Sequence, residues 1–331
     1  MAARHDMALL DLDGVVYLVG NPIPGAPETI DWLRGSGVLP RFVTNNASRR
    51  PGEVAELLTS RGVTADESEV CTSAQAAAEI LRSRCAPGDA VLVVGSDALA
   101  AEVAEMGLTP IREPSGEVRA VVQGYGPQVG WKQLADAAVE VRGGILWVAT
   151  NTDATMPSPR GPLPGNGTMI AAVATAAGRQ PDAVAGKPEP ALLERATAGH
   201  HDPRPIVVGD RWDTDIAAAV AAGMPGMLVL SGTTTPPEVL DIPPYARPDH
   251  LAWSIAGLQD EHPRVEQTGD TVECREWTVR GDGERLTLFG SGDALDALRA
   301  LAQAAWRDAG HQAVAGDKNA RDALAHLGFG V

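Results

Sequence analysis

Two carboxylates one residue apart, Asp11 and Asp13 in Asp11-Leu12-Asp13-Gly14, are the residues of this chain whose types and spacing point most directly to chemistry. Acids this close repel unless a cation neutralises them, and a set of oxygen ligands suits Mg2+. Met7 to Leu10, just before them, form an uncharged apolar run, the pattern of a strand buried on both faces of a parallel sheet. Ligands of open α/β sheets bind at the C-terminal strand ends, so Asp11 is read as a nucleophile aimed at phosphorus. Taken alone, Asp-Leu-Asp-Gly also serves as strand-to-turn punctuation. Three later stretches add weight. Thr44-Asn45-Asn46 ends a second strand read over 38–43. Lys187 stands in Ala185-Gly186-Lys187-Pro188, ahead of a helix from about Pro190 to Ala198. A strand over Ile206 to Val208 ends in Gly209-Asp210, and Asp213-Thr214-Asp215 opens the next helix. If the strands are neighbours, Thr44 and Asn45 lie beside Asp11.

The elements that must position these residues follow an α/β rhythm. Helices are expected from about Ala26 to Arg34 and from Pro51, with Ser48 as a candidate cap. A middle block carries strands over 90–94, 118–122 and 145–149, with helices over 74–81, 131–141 and 169–177. The first pattern then resumes to about Leu258, so one domain is split and another inserted into it. From about 261 the character changes: a strand over 272–279, a hairpin turn at Arg280-Gly281-Asp282-Gly283, a partner strand over 286–289 and a helix over 293–307. The fold class is α/β: a doubly wound core of residues 1–73 and 186–260, an inserted α/β cap of 74–185 and a small C-terminal α+β module of 261–331.

Composition narrows the function. The 331 residues carry 27 basic against 43 acidic side chains, net charge -16, which argues against nucleic acid as partner. Three scattered cysteines make neither a disulfide framework nor a zinc site. The amino terminus lacks a signal peptide's apolar stretch and no run reaches membrane length, so the expected setting is the cytoplasm, away from membranes.

The stretches DLDGVV, TNNAS, AGKPEP and GDRWDTD, in this order, resemble the four motifs of the haloacid dehalogenase-like hydrolase superfamily. Over about residues 7 to 258 the chain is similar to its phosphatases with a C2-type α/β cap inserted after the second motif, the NagD, phosphoglycolate and pyridoxal-phosphate phosphatase group. The resemblance implies Mg2+ held by the Asp11 carboxylate, the Asp13 backbone carbonyl and Asp210, with Asp215 orienting metal-bound waters. It implies an aspartyl-phosphate on Asp11 and acid–base work by Asp13. Gly14, Thr44, Asn45 and Lys187 would bind phosphate. Asn46 and the cap residues Asp153, Met156 and Arg160 would face the substrate, in a segment (149–168) where Asn151, Asp153 and the Pro-Gly-Asn-Gly turn match the family pattern. Tyr125 stands where relatives commonly carry aspartate. Aromatics are 4% of the chain, which favours a small polyol or hydroxyacid phosphate over a ring-bearing ester. Glycerol 3-phosphate is expected first and phosphoglycolate second, and a homodimer is allowed for. The tail resembles a remnant of an acetyltransferase-like fold; without an R-x-x-G-x-G/A loop, acetyl transfer is not expected.

Plainer readings stand beside these. Thr44 could simply end a strand, Lys187 could be a solvated loop charge, and Asp213 and Asp215 could be acids of a helix's first turn. His200 and His201 are adjacent, share no helix face and read as surface residues. The Gly-Tyr-Gly pattern at 124–126 has the wrong spacing for a dinucleotide turn. The rival functions are a phosphotransferase or mutase using the same intermediate, and a silent binding protein on this fold.

Overall fold

The structure, a computed structural model, describes residues 4–18, 20–156, 158, 160–307 and 312–330. Its first strand, Met7–Leu10, is central in a six-stranded parallel sheet of order 250–252, 226–229, 205–209, 7–10, 39–44, 70–72. The strand has no exposed face. Ala8 and Leu10 enter the apolar cluster below the sheet, whereas Met7 and Leu9 enter the one above. Each large side chain so buried contributes about 1.5–3 kcal/mol. The chain leaves Met7–Leu10 toward one edge and later returns on its other side, so Asp11 sits at the topological switch point.

A second parallel sheet, ordered 183–184, 146–149, 118–123, 90–94, 109–111, belongs to the inserted block. The helix Ser73–Arg84 joins it to the core and lies in the seam: its Ala74, Ala77 and Leu81 share one apolar cluster with Leu9 and Val148. A third sheet runs 265–268, 271–274, 277–281, 285–290 as an antiparallel meander and ends in 312–315, parallel to its neighbour. No helix among the described residues is long and apolar enough to cross a membrane.

Local departures from the sequence reading have physical causes. The strand expected over 272–279 is two strands, Thr271–Cys274 and Trp277–Gly281, turning at Arg275-Glu276 with Arg275 at φ 52. That turn lacks the Gly or Asn that would announce it. Ser48 does not cap the helix Pro51–Ser60; Arg50 holds that position, and its N–H donates to Glu53 at 2.7 Å. Short strands at 70–72, 109–111, 183–184 and 250–252 had no expectation, because two or three residues carry no readable period.

Candidate active site

The strand ends bring residues from four distant stretches together. Carboxylate oxygens of Asp11, Asp210 and Asp215 lie within 4.8 Å of one another. Lys187 is set among them, with Nζ 2.6 Å from Asp11 and 2.7 Å from Asp215, and its side chain is 3% exposed. The solvated-lysine reading is therefore excluded. Lys187 also reaches the Val43 carbonyl at 3.3 Å.

Local folding explains the aim of each acid. Gly14 has φ +80, and a Cβ there would overlap the Asp210 carboxylate, so only glycine lets the chain turn away from Asp13 while Asp210 closes in. The Asp210 side chain accepts the Thr233 N–H at 2.6 Å, and Ser231 donates its hydroxyl to the Gly14 carbonyl at 2.6 Å. After Arg211 the chain makes a wide π-helical turn, Trp212–Ile216, before the helix Ala217–Ala221. Such wide turns recur at functional sites. Here the turn swings Asp215 back so that its carboxylate accepts the Arg211 N–H at 3.1 Å.

The electrostatics record crowding of like charge. Burial raises Asp11 well above the ordinary carboxyl range, against Lys187, with Asp215 and Asp210 adding to the rise. Burial and then Asp215 push Asp210 up to about 6, against the Thr233 hydrogen bonds. Burial disfavours the Lys187 ammonium, but Asp11 and Asp215 outweigh it and raise its pKa. Three carboxylates therefore share one lysine, and the surplus negative charge fits a divalent cation. Asp13 stands outside that cluster with an exposed side chain, yet desolvation still raises it; Lys187, Arg61 and Arg49 pull the other way.

The remaining expected residues divide. Thr44 is buried at its strand end, with Oγ1 accepting the Asn46 N–H at 3.1 Å. Asn45 uses its carboxamide on Lys187: Nδ2 donates to the Lys187 carbonyl at 3.0 Å and Oδ1 accepts the Lys187 N–H at 2.8 Å. Asn46 is exposed, and its Oδ1 accepts the N–H and hydroxyl of Ser48 at 2.8 and 2.7 Å. Asp153 reaches the core, accepting from Asn45 at 3.1 Å. Met156 lies half-buried on a two-strand hairpin, Thr155–Met156 with Leu163–Pro164, and Arg160 is exposed in the loop that joins them. Asp213 pairs with Arg211 at 2.8 Å and stands outside the carboxylate cluster, and His200 and His201 are exposed.

Sequence reasoning missed Arg211, Thr233, Arg61 and Tyr17. The Arg61 guanidinium lies 4.4 Å from the centre of the Tyr17 ring, and Gly14 donates to the Tyr17 carbonyl at 2.7 Å. Only Ser231-Gly232-Thr233, after an apolar strand, left a readable signal, since it repeats the small-polar strand ending of Thr44-Asn45.

With this geometry in place, relatives supply context. The profile of the haloacid dehalogenase-like hydrolases matches residues 8–109, a HAD-hydrolase-like profile matches 184–258, and a GCN5-related N-acetyltransferase like domain matches 274–329. The chain is 41% identical to a D-glycerol 3-phosphate phosphatase of Mycobacterium tuberculosis, over 98% of this chain and 94% of that protein. It is 35% identical to an acid sugar phosphatase of Staphylococcus aureus, over 77% of this chain and 99% of that protein. A crystal structure of glycerol phosphate phosphatase from Mycobacterium tuberculosis in complex with magnesium superposes with TM-score 0.92 at 41% identity, covering 99% of this chain and 98% of the other. The p-nitrophenyl phosphatase of Archaeoglobus fulgidus gives 0.69 at 31% identity, covering 76% of this chain and 97% of the other. With residues of all four motifs brought together at one end of the core sheet and relatives this similar over most of its length, the chain belongs to the haloacid dehalogenase-like hydrolases.

Proposed function

We propose that the protein is a Mg2+-dependent phosphomonoesterase acting on a small phosphate ester, glycerol 3-phosphate first and phosphoglycolate second, through an aspartyl-phosphate on Asp11. The observation that carries this reading is the buried Asp11, Asp210, Asp215 and Lys187 cluster at the switch point of the parallel sheet. Asp11, Asp210 and the Asp13 backbone carbonyl would hold Mg2+, with Asp215 ordering its waters; the ion supplies charge neutralisation between an anionic nucleophile and an anionic ester.

The chain's own groups do the rest. An Asp11 carboxylate oxygen forms a bond to phosphorus as the ester oxygen leaves, and the Asp13 carboxyl delivers its proton to that oxygen. The upward push on Asp13 favours the proton-bearing form this step needs. Asp13, now ionised, takes a proton from water, whose oxygen attacks phosphorus; the Asp11–phosphorus bond breaks and phosphate departs. Lys187, kept protonated by Asp11 and Asp215, holds the nucleophile's free oxygen and offers charge to the phosphoryl group. The Thr44 hydroxyl and the Asn45 backbone N–H are assigned to the phosphoryl oxygens; Gly14, expected to share that task, gives its N–H to the Tyr17 carbonyl and instead shapes the turn beside Asp210. Residues 74–185 are assigned to a cap that closes over the cleft and reads the alcohol.

A phosphate-release screen over glycerol 3-phosphate, phosphoglycolate, pyridoxal phosphate and nucleoside monophosphates tests the reading. Chelation of Mg2+ or Asp11→Asn is expected to remove release by about a thousandfold or more. Unchanged turnover in Asp11→Asn would refute it, and phosphoryl transfer to added alcohols in place of release would make the protein a phosphotransferase.

The quaternary and cellular parts of the reading rest on less. Trp131 and Val139 are 82% and 62% exposed on the cap helix Trp131–Arg142, which supports a homodimer through that face. Light scattering on the protein and on Trp131→Glu decides it. Cys71, Cys85 and Cys274 are free thiols, in keeping with the reducing cytoplasm.

A further inference from the structure

Asp153 was expected to read the substrate, yet both of its carboxylate oxygens face the core. Oδ2 accepts from Asn45 Nδ2 at 3.1 Å, and Oδ1 lies 3.3 Å from Arg211 Nη1. The Asn45 amide has two N–H groups; one goes to Asp153 and the other to the Lys187 carbonyl at 3.0 Å. Its oxygen accepts the Lys187 N–H at 2.8 Å, so the carboxamide has one orientation that satisfies all three partners. The Lys187 side chain then delivers Nζ to Asp11 and Asp215. An unbroken polar chain thus runs from the cap to the nucleophile.

The cap side is built to hold that carboxylate still. The Asp153 N–H donates to Asn151 Oδ1 at 3.2 Å, and its carbonyl accepts the Gly167 N–H at 2.8 Å, in the first turn of the helix Asn166–Ala177. Asn151 itself crosses the seam, donating to the Asn45 carbonyl at 2.7 Å. Arg211 is held on its other side by Asp213, at 3.1 and 2.8 Å, so two carboxylates already engage its guanidinium. The Asp153 and Arg211 side chains are 23% and 37% exposed, so their direct attraction contributes little stability. What the contact can set is geometry.

We propose that Asp153 is a positioning residue: a cap carboxylate that, with the cap closed, fixes Asn45 against Lys187 and ties the cap to Arg211. This rests on the phosphatase reading above. Closure of the cap would then complete the core's phosphoryl-binding geometry as well as exclude water.

The test is steady-state hydrolysis of glycerol 3-phosphate and of 4-nitrophenyl phosphate, at saturating Mg2+, by the full chain and by Asp153→Ala, Asp153→Asn, Arg211→Met and the Asp153→Ala/Arg211→Met double variant. Asp153→Ala is expected to lower kcat by about tenfold or more, by the same factor for both esters, with KM within about threefold. Asp153→Asn, whose amide oxygen still accepts from Asn45, recovers much of the loss, and the double variant is no worse than Asp153→Ala. A raised KM with kcat intact, or a loss confined to one ester, would mean that Asp153 reads substrate and would overturn the proposal. So would unchanged kinetics in an active enzyme. Hydrogen exchange gives a readout that does not need turnover: residues 44–46 and 186–187 should lose protection in Asp153→Ala. Unchanged protection refutes the link by itself, while a wild-type chain that releases no phosphate from any ester counts against the phosphatase reading instead.

Discussion

At the scale of single residues, the site is governed by how many charges share one small volume. Asp11 and Asp215 each lie within hydrogen-bond distance of the same ammonium, and Asp210 adds a third carboxylate without a lysine of its own. Removing Lys187 should therefore do more than slow the chemistry. Breaking a buried ion pair from one side costs about 3–5 kcal/mol because the remaining charge is left uncompensated. Lys187→Met is expected to unfold at a clearly lower temperature without Mg2+ and to regain most of the difference with it, since the divalent ion replaces the missing charge. Thermal melts of both proteins with and without Mg2+ check this, and an equal Mg2+ effect in both would contradict it. The role of Lys187 was legible as a motif. Its carboxylate neighbours, Asp11 from one distant stretch and Asp210 and Asp215 from another, were legible only through the order of those motifs.

At the scale of elements, strand ends position the carboxylate cluster, and the proposed specificity segment is a short hairpin of the inserted block. Residues Thr155–Met156 and Leu163–Pro164 pair as a hairpin that starts two residues after Asp153, so Met156 is tethered within about 11 Å of the seam contact. Met156 and Arg160 thus belong to one small element, the hairpin and its connecting loop, with the Arg160 N–H donating to Ser158 Oγ at 3.1 Å. Substitutions at Met156 or Arg160 are expected to shift the ratio of kcat/KM between glycerol 3-phosphate and phosphoglycolate by roughly 10- to 100-fold. An unchanged ranking would move the specificity segment elsewhere. The seam has a second fastening, in which Arg50 pairs with Glu105 and lies 3.5 Å from the buried Glu102 of the helix Asp97–Glu105. No motif marked that contact, because it joins a surface arginine to a helix face about fifty positions away.

At the scale of the whole molecule, the C-terminal module is part of the packed body. Leu228 and Leu240 of the core share one apolar cluster with Val272, Leu288, Leu298 and Leu301. The helix Ala294–Arg307 covers the outer edge of the core sheet, with Arg299 donating to the Leu251 carbonyl at 2.6 Å and Trp306 to the Val239 carbonyl at 2.9 Å. Capping an open sheet edge in this way removes an aggregation hazard. Gly290-Ser291-Gly292 ahead of this helix supplies two glycines of the pyrophosphate-loop pattern, with Thr287 where arginine would stand. The junction's acids are already committed: Asp293 accepts the Leu295 N–H at 2.9 Å, and the buried Asp296 of the first turn pairs with Arg299 and lies 3.4 Å from Arg275. Beside that edge, His250 and His262 meet edge to face at 5.0 Å. Burial, then His262, lowers His250 to about 4, and burial lowers His262. The unfolded chain therefore binds more protons than the folded one as pH falls from 6.5 toward 4, so these rings contribute full stability above that window and lose it within. The loss is about 1–2 kcal/mol once solvent screening of the half-buried rings is allowed for, or several degrees of Tm. Melts from pH 7.5 to 4.5 should slope less steeply in His250→Gln, and identical slopes would remove the histidines from the account.

What the amino-acid order determined by itself is whatever a strand and its last residues state locally. Met7–Leu10, apolar throughout, is buried on both sides, and Asp11 and Asp210 stand at strand ends because each follows such a run; Thr44 ends a strand whose Phe42 and Val43 are buried but which carries Arg41. Tertiary structure decided the rest. Asn45 meets Asp153 across 108 positions and Lys187 across 142, and no local period encodes a hydrogen bond formed over that distance. The side-by-side order of parallel strands, the wide turn that aims Asp215, and the placing of the Asp153 carboxylate against Asn45 and Arg211 all follow from packing. They exist only once the sheets have formed and the buried polar groups have found the partners that desolvation demands.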